Sequence, residues 1–331
     1  MAPMKIFGLN ASKEYAQLVA KHLGTTLTPH EEKLFADGES YVKAADGDIG
    51  NVRGHQVFVI QSLYDDNAES VSDKFMKLAI FCASLRTASA ASICAVIPHL
   101  AWARQDRKTE SRAPVTTKAV AVMLEAVGVD RLLFMDVHNL SAEQNAFSLR
   151  CPMDNLECKN LHVDWCLNNL TLNGKVVGLS DDGGYKRLTR FCNALSKRLG
   201  FKVTTAVLDK VRYQDIVTGG DRIVGDVQDA SVIIYDDMIS TGSTTRKAYD
   251  AAVKYGGEVV AVMATHGLFV GKANEYLDGM DTKIVVADTV SPFRLNAKNR
   301  AKVDVIDTSA MMADAIRRIS SGTGSISELL R

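Results

Sequence analysis

The chain has 331 residues, 47% hydrophobic and 24% charged, with 39 basic and 39 acidic side chains and a formal net charge of +0. That length suits two domains, each with its own core, and the composition is that of an ordinary globular protein. A balanced charge excludes a global field that would draw the chain to nucleic acid or to a membrane surface, so neither is expected as a partner. No apolar run is long enough to span a bilayer, residues 1–9 lack the layout of a secretory signal, and the six cysteines show no CxxC or zinc-finger spacing. Buried free thiols in a reducing cytoplasm are the expectation.

In chain order, residues 5–9 predict a strand and 12–23 a helix with Ser12 as N-cap. Residues 31–42 predict two short strands around the Asp37-Gly38 turn. A polar loop at 46–54 precedes a strand at 56–61, a helix at 72–87, a strand at 92–98, a helix at 115–127 and a strand at 131–136. The same order then recurs: strands at 175–179, 204–208, 232–235, 259–264, 283–287 and 303–305, with helices at 184–199, 244–255 and 308–319. Strand and helix alternate twice over, which predicts two α/β domains, each a doubly wound parallel sheet, spanning 1–157 and 158–331. Residues 320–327 are small and polar and predict a loosely held tail.

The densest chemistry lies at 232–245. An apolar β-branched run leads into Asp236 and Asp237, placed where the strand is expected to end, and then into Ser240, Thr241, Gly242, Ser243 and Thr244 at the start of a helix. A small-residue loop opening a helix gathers backbone N–H groups and hydroxyls beside the positive end of the helix dipole, and so can seat a phosphate. Two carboxylates before it can hold the vicinal hydroxyls of a sugar, directly or through a metal. The alternative is a plain βα turn with a Ser or Thr N-cap. No Gly-Lys-Ser/Thr follows at the spacing of a Walker loop.

Other expected strand ends are also polar, and strand ends are where open α/β sheets work. After Ile97 come Arg104, Gln105, Asp106, Arg107 and Lys108, a cationic run suited to a polyphosphate or to stacking on a purine, or else a solvated loop. After Met135 come Asp136 and His138, candidates for a magnesium or nucleotide contact beside a structural reading. Asp181 and Asp182 precede Gly183-Gly184, which suits a metal-bound phosphate or an N-cap equally. Lys210 and Arg212 stand two apart at a strand end, pointing the same way if extended, before a polar, glycine-containing stretch expected to be mobile. A cationic loop that closes over a reacting phosphate is what phosphoryl transfer needs.

With these residues together, nearly the whole chain resembles the ribose-phosphate pyrophosphokinase (PRPP synthetase) family. The resemblance rests on residues 35–39, 103–108, 111–114, 135–138, 209–212, 232–245 and 265–269. It implies two type I phosphoribosyltransferase-like (PRTase-fold) domains and transfer of the β,γ-pyrophosphoryl group of Mg-ATP to the anomeric hydroxyl of ribose 5-phosphate. It further implies that Arg104, Gln105 and Asp106 meet ATP, and that Phe35, Asp37 and Glu39 complete the nucleotide site of a neighbouring subunit. His138 and Asp181 match magnesium positions, Lys210 and Arg212 the catalytic cations, Asp236 and Asp237 the ribose-hydroxyl binders, and residues 240–244 the 5′-phosphate loop. A cytoplasmic homo-oligomer follows, dimer or hexamer, with Mg²⁺ as cofactor and ATP as co-substrate.

The chain departs from the common bacterial pattern at Ser240, Gly242-Ser243, Ser180-Asp181-Asp182 and Val211. Those departures surround the sugar and the closing loop. They keep pyrophosphoryl transfer but leave open the acceptor, such as a larger ribosyl 5-phosphate like ADP-ribose, and regulation by phosphate or ADP; the competing readings are a PRPP-consuming transferase and a non-catalytic regulatory paralogue.

Overall fold

The computed structural model describes residues 3–172, 174–209, 212–213, 216–217 and 222–330, the two short pieces as backbone only. It divides into one unit of Met1–Glu157, Thr289–Ser291 and Thr308–Arg331, and a second of Cys158–Asp288 and Pro292–Asp307. Among the described residues no helix is long and apolar enough to cross a membrane.

The first unit begins with strand β1 (Met4–Gly8) and helix α1 (Lys13–His22), followed by a hairpin of β2 (His30–Leu34) and β3 (Ser40–Ala44). Then come β4 (Gln56–Ile60), α2 (Val71–Thr87), β5 (Ser92–Ile97), α3 (Thr116–Ala126), β6 (Arg131–Met135), α4 (Leu140–Ala146) and β7 (Met153–Leu156). Its sheet runs β1-β4-β5-β6-β7, every pair parallel. Strands this apolar are buried on both faces, as parallel sheets require. The terminal helix, Ser309–Ser321, packs on α1.

Two local expectations change. Ser12 heads α1 without capping it, because its hydroxyl instead accepts the Ser62 N–H at 2.9 Å. The polar tail is held: Arg318 donates to the Ser325 carbonyl at 2.7 Å and to Glu328 at 2.6 Å.

The hairpin is fixed to α2 by buried charge. Glu32 accepts from the Asn10 N–H at 2.6 Å and shares a hydrogen bond with His30 at 2.8 Å, and its other oxygen meets Lys77 at 3.3 Å. Lys77 also binds Glu69. Burial would lift the Glu32 carboxyl, but His30, the Asn10 amide and Lys77 outweigh it and hold the group below its ordinary value.

The second unit comprises α5 (Lys159–Asn169), β8 (Val176–Asp181), α6 (Tyr185–Leu199), β9 (Thr204–Asp209), β10 (Arg212–Tyr213), β11 (Ile216–Val217), β12 (Arg222–Val224), β13 (Ser231–Ile239), α7 (Ser243–Lys254), β14 (Glu258–Gly267), α8 (Ala273–Leu277), β15 (Lys283–Ala287), α9 (Ala297–Arg300) and β16 (Val303–Ile306). Its sheet runs β12-β9-β8-β13-β14-β15-β16, parallel except for β12 against β9. Strand order therefore reverses between β8 and β13, the kind of switch point beyond whose strand ends open α/β sheets bind ligands.

Period-two alternation divides β13 between two cores. Val232 and Ile234 enter the core beneath α7, and Ile233 and Tyr235 enter the one beneath α5 and α6. Tyr235 stacks on Phe191 at 4.2 Å and meets His162 Nδ1 through its hydroxyl at 3.1 Å. On β8, a Cβ at Gly178 would fall 2.4 Å from Cys192 Sγ and 2.7 Å from a Leu188 methyl, so only glycine lets α6 lie this close.

Strand β13 runs past the expected end at Tyr235. Beyond Ile234 it leaves β8 but keeps pairing with β14, Asp236 opposite Ala264 and Ile239 opposite Gly267. Asp236 and Asp237 are thus strand residues.

Candidate active site

In the second unit the acids gather at the reversal of strand order. Asp181 ends β8; Asp236 and Asp237 lie on β13 beside it. Continuing the alternation, Asp237 shares the face of Ile233 and Tyr235, toward α6. From the first turn of α6, Arg187 Nη1 reaches Asp237 Oδ1 at 3.3 Å and Asp236 Oδ1 at 3.8 Å. Asp236 Oδ1 also accepts the Asp237 N–H at 2.8 Å. Burial, then the Asp237 charge and hydrogen bond, then Asp181 push the Asp236 carboxyl well above its ordinary range, against the pull of Arg187. A cluster so acidic favours a bound cation or the hydroxyl protons of a diol.

Asp181 Oδ1 accepts the Gly184 N–H at 3.0 Å and caps the turn into α6. The capping alternative therefore describes one of its oxygens. Asp182 lies in that turn.

The loop at 240–244 opens α7 without a side-chain cap. Its N-cap residue is Gly242, in the left-handed region at φ +81, and a residue with no side chain cannot cap the first turn, so the N–H groups there beyond that of Ser243 can turn to a ligand. Ser240 is pinned by its carbonyl, which accepts the Val270 N–H at 2.9 Å. The Thr241 hydroxyl accepts from the Ser243 N–H at 3.4 Å, while Thr244 is exposed. The plain N-capped turn is thus replaced by an open fan of donors at the end of a 12-residue helix.

In the first unit, Arg104 and Gln105 are exposed beyond β5 and Asp106 is half-buried. Gln105 is braced by its N–H to the Trp102 carbonyl at 2.9 Å and by the Thr116 hydroxyl at 2.5 Å. Beyond β6, buried Asp136 takes φ +39, a backbone conformation uncommon for a side chain, and turns the chain so that His138 is exposed. The two loops are joined: Asn139 Nδ2 donates to Asp106 Oδ2 at 2.7 Å. Phe35, Asp37 and Glu39 form the exposed hairpin tip, where Asp37 accepts the Glu39 N–H at 3.1 Å and Phe35 packs edge-on to Tyr41.

Lys210 lies outside the described residues, as does most of the stretch expected to be mobile. Of Arg212 only the backbone is described, paired with Val217. His138 belongs to the first unit and Asp181 to the second. Among the described residues no group of three or more His, Cys, Asp or Glu could by itself hold a metal ion. Magnesium needs no such cage, since it keeps waters and is bound through one or two carboxylates plus substrate phosphates.

Two residues escaped the sequence. Arg187 reaches the acid pair from fifty positions away, and its only trace is Gly178, a glycine within an apolar strand. Glu143, on α4, is fully buried with neither carboxyl oxygen hydrogen-bonded among the described residues. Burial, then the Asp106 charge, push its carboxyl up to about 8.

The chain's relatives give its family. Residues 4–128 match the family described as the N-terminal domain of ribose phosphate pyrophosphokinase, and residues 218–331 the phosphoribosyl synthetase-associated domain. The ribose-phosphate pyrophosphokinase of Haemophilus influenzae is 38% identical over 324 residues, covering 97% of each chain. The chain belongs to the ribose-phosphate pyrophosphokinase family.

The family protein of Pasteurella multocida is also 38% identical over 97% of each chain. The crystal structure of phosphoribosylpyrophosphate synthetase from Mycobacterium smegmatis superposes with a TM-score of 0.85 at 27% identity, covering 97% of this chain and 100% of that one. That likeness, with the alternating helices and parallel sheets, gives the α/β PRTase-type fold expected from the sequence.

Proposed function

We propose that the chain is an ATP-dependent ribose-phosphate diphosphokinase. It transfers the β,γ-pyrophosphoryl group of Mg-ATP to the 1-hydroxyl of ribose 5-phosphate, giving PRPP and AMP. The observation that carries this reading is the donor fan at Gly242 following directly on the strand-held pair Asp236 and Asp237. One helix N-terminus for the 5′-phosphate and two carboxylates for the 2- and 3-hydroxyls together suit a ribosyl 5-phosphate.

In this reading the 1-hydroxyl oxygen bonds to the β-phosphorus as the bond from that phosphorus to the α–β bridging oxygen breaks. The electron pair leaves with AMP, and the hydroxyl proton passes to water. Charge spreads over the oxygens of the moving group, and Lys210 and Arg212 neutralise it. His138 and Asp181 are the residues we assign to Mg²⁺, which would supply further charge neutralisation on the phosphates.

Arg104, Gln105 and Asp106 seat ATP, and Phe35, Asp37 and Glu39 complete the nucleotide site of a neighbouring copy in a cytoplasmic homo-oligomer. We assign nucleotide binding to the domain at 1–157 and the sugar phosphate to that at 158–331.

The test is AMP formation from ATP, Mg²⁺ and ribose 5-phosphate. AMP should appear in equal amount to PRPP, and Lys210→Ala should lower kcat far more than ATP affinity. Absence of AMP with the wild-type chain would overturn the reading.

A further inference from the structure

Arg187 has no part in the reaction as proposed, yet it is built into the sugar end of the site. Its side chain is only 13% exposed, and that of Asp237 only 3%. One guanidinium nitrogen spans both carboxylates, at 3.3 Å and 3.8 Å. The acids it spans repel each other, and Asp181 adds a third negative charge from the neighbouring strand. Without an internal cation, two adjacent carboxyls, Asp237 buried and Asp236 30% exposed, relieve the strain by rotating apart or by sharing a proton. Either response removes an acceptor that a diol needs. An arginine also holds direction as well as charge, because its planar donors fix the carboxylate they meet. Its placement follows from the fold: the turn capped by Asp181 sets the start of α6, and Gly178 lets that helix lie close on β8.

We propose that Arg187 is a positioning residue that locks Asp236 and Asp237 as paired acceptors for the 2- and 3-hydroxyls of the sugar phosphate, and so sets selectivity for ribose over 2-deoxyribose. The inference rests on the function proposed above and deepens it. It differs from a stabilising ion pair in one consequence. A merely structural arginine would, when lost, weaken ribose 5-phosphate and 2-deoxyribose 5-phosphate alike, whereas a positioning one weakens chiefly the ligand whose 2-hydroxyl depends on the pair.

Calorimetric binding of the two sugar phosphates, without ATP, tests this independently of turnover. The wild type should prefer ribose 5-phosphate. Arg187→Met, which keeps the length and apolar stem, should lose on the order of tenfold or more in affinity for ribose 5-phosphate and clearly less for the 2-deoxy compound, which has only the 3-hydroxyl to lose. Arg187→Lys should recover part of the preference, because it restores the charge without the planar fork. In turnover, the KM for ribose 5-phosphate should rise in Arg187→Met while the KM for ATP stays constant. Circular dichroism confirms that each variant is folded; should Arg187→Met not fold, Arg187→Lys against wild type carries the comparison, with a reduced preference as the expected result. Equal weakening of both ligands, or a preference unchanged in both variants, overturns the inference. A wild-type chain that binds ribose 5-phosphate selectively but forms no AMP overturns the proposed reaction and leaves this inference standing.

Discussion

Asn139 Nδ2 and Asp106 Oδ2 stand 2.7 Å apart, joining the loop beyond β5 to the loop beyond β6. Asn139 also caps α4, its side-chain oxygen accepting the Ala142 N–H at 3.4 Å. One side chain thus ties a short helix to the segment bearing Arg104 and Gln105. Asn139→Ala removes both bonds and replaces none of the proposed nucleotide contacts, although Asp106, one of them, loses this hydrogen bond. The lost bond to Asp106 is worth about 1 kcal/mol, which predicts an ATP KM raised about fivefold with ribose 5-phosphate binding unchanged. Asn139→Asp should do worse, since it sets a carboxylate against Asp106. Steady-state kinetics for both substrates check this, and an unaltered ATP KM would show that the link does not position the nucleotide loop.

The Lys77 bridge to Glu32 carries a second expectation. Lys77→Met leaves Glu32 and Glu69 without their shared cation, Glu32 with a side chain only 4% exposed. Loss of one partner from a buried pair costs about 3 kcal/mol. The sign with pH is fixed by Glu32, whose carboxyl is held low in the folded chain. Stability from such a group is present above its unfolded value and lost as pH falls through the folded one. The penalty in Lys77→Met should therefore be full at neutral pH and shrink only as pH falls below the ordinary glutamate range, where Glu32 takes up its proton in the folded wild type as well. Urea unfolding at pH 7 and about pH 3 measures it; a constant penalty would assign the loss to packing of the lysine stem.

Much of the site was legible because its chemistry is contiguous in sequence. Asp236, Asp237 and the hydroxyl loop fall within a few positions, so strand, turn and helix leave them little freedom relative to one another. What could not be read was distance through the fold. Arg187 joins the pair only because α6 settles on β8, and a basic residue in the first turn of an amphipathic helix carries no mark of the acid it will meet. The extension of β13 past Tyr235 was hidden for a related reason: periodicity follows burial, and Asp236 stays in the strand through pairing with β14 rather than through an apolar side chain. Likewise the pattern of the terminal helix gives its apolar face, and not the helix on which that face rests.

Glu143 predicts the opposite pH trend to Glu32. Its carboxyl is raised to about 8, so the folded chain holds a proton that the unfolded chain releases near its ordinary value. Stability from this group is full at low pH and declines as pH rises toward 8, by up to about 1.4 kcal/mol per pH unit. Asp236, also raised, adds a decline of the same sign, so wild-type stability alone does not isolate Glu143. The difference between Glu143→Gln and wild type does. The variant should gain on wild type steadily from pH 5.5 to 8.5 in urea midpoints, since it carries no charge to bury. A difference constant across that range would mean that Glu143 is ionised, with a cation beside it, throughout.

Gly242 is the residue on which the phosphate seat turns. At φ +81 it adopts a conformation that costs an L-residue about 1–2 kcal/mol, and it does so at the N-cap, where its shape aims the first N–H groups of α7. Steric room is not the constraint, since an added Cβ would lie 3.4 Å from Tyr276 Cβ. Gly242→Ala should therefore fold, with stability reduced by about 1–2 kcal/mol, and the loop should relax toward negative φ and turn its donors from a common point. Affinity for ribose 5-phosphate should fall on the order of tenfold or more, because a charged phosphate loses several aligned donors together, while ATP binding alone stays as in wild type. Gly242→Asn should fall between the two, as asparagine tolerates the left-handed region better than alanine. Calorimetry with each ligand distinguishes the outcomes. Undiminished affinity of Gly242→Ala for ribose 5-phosphate would place the phosphate elsewhere and remove the basis for reading the opening of α7 as its seat.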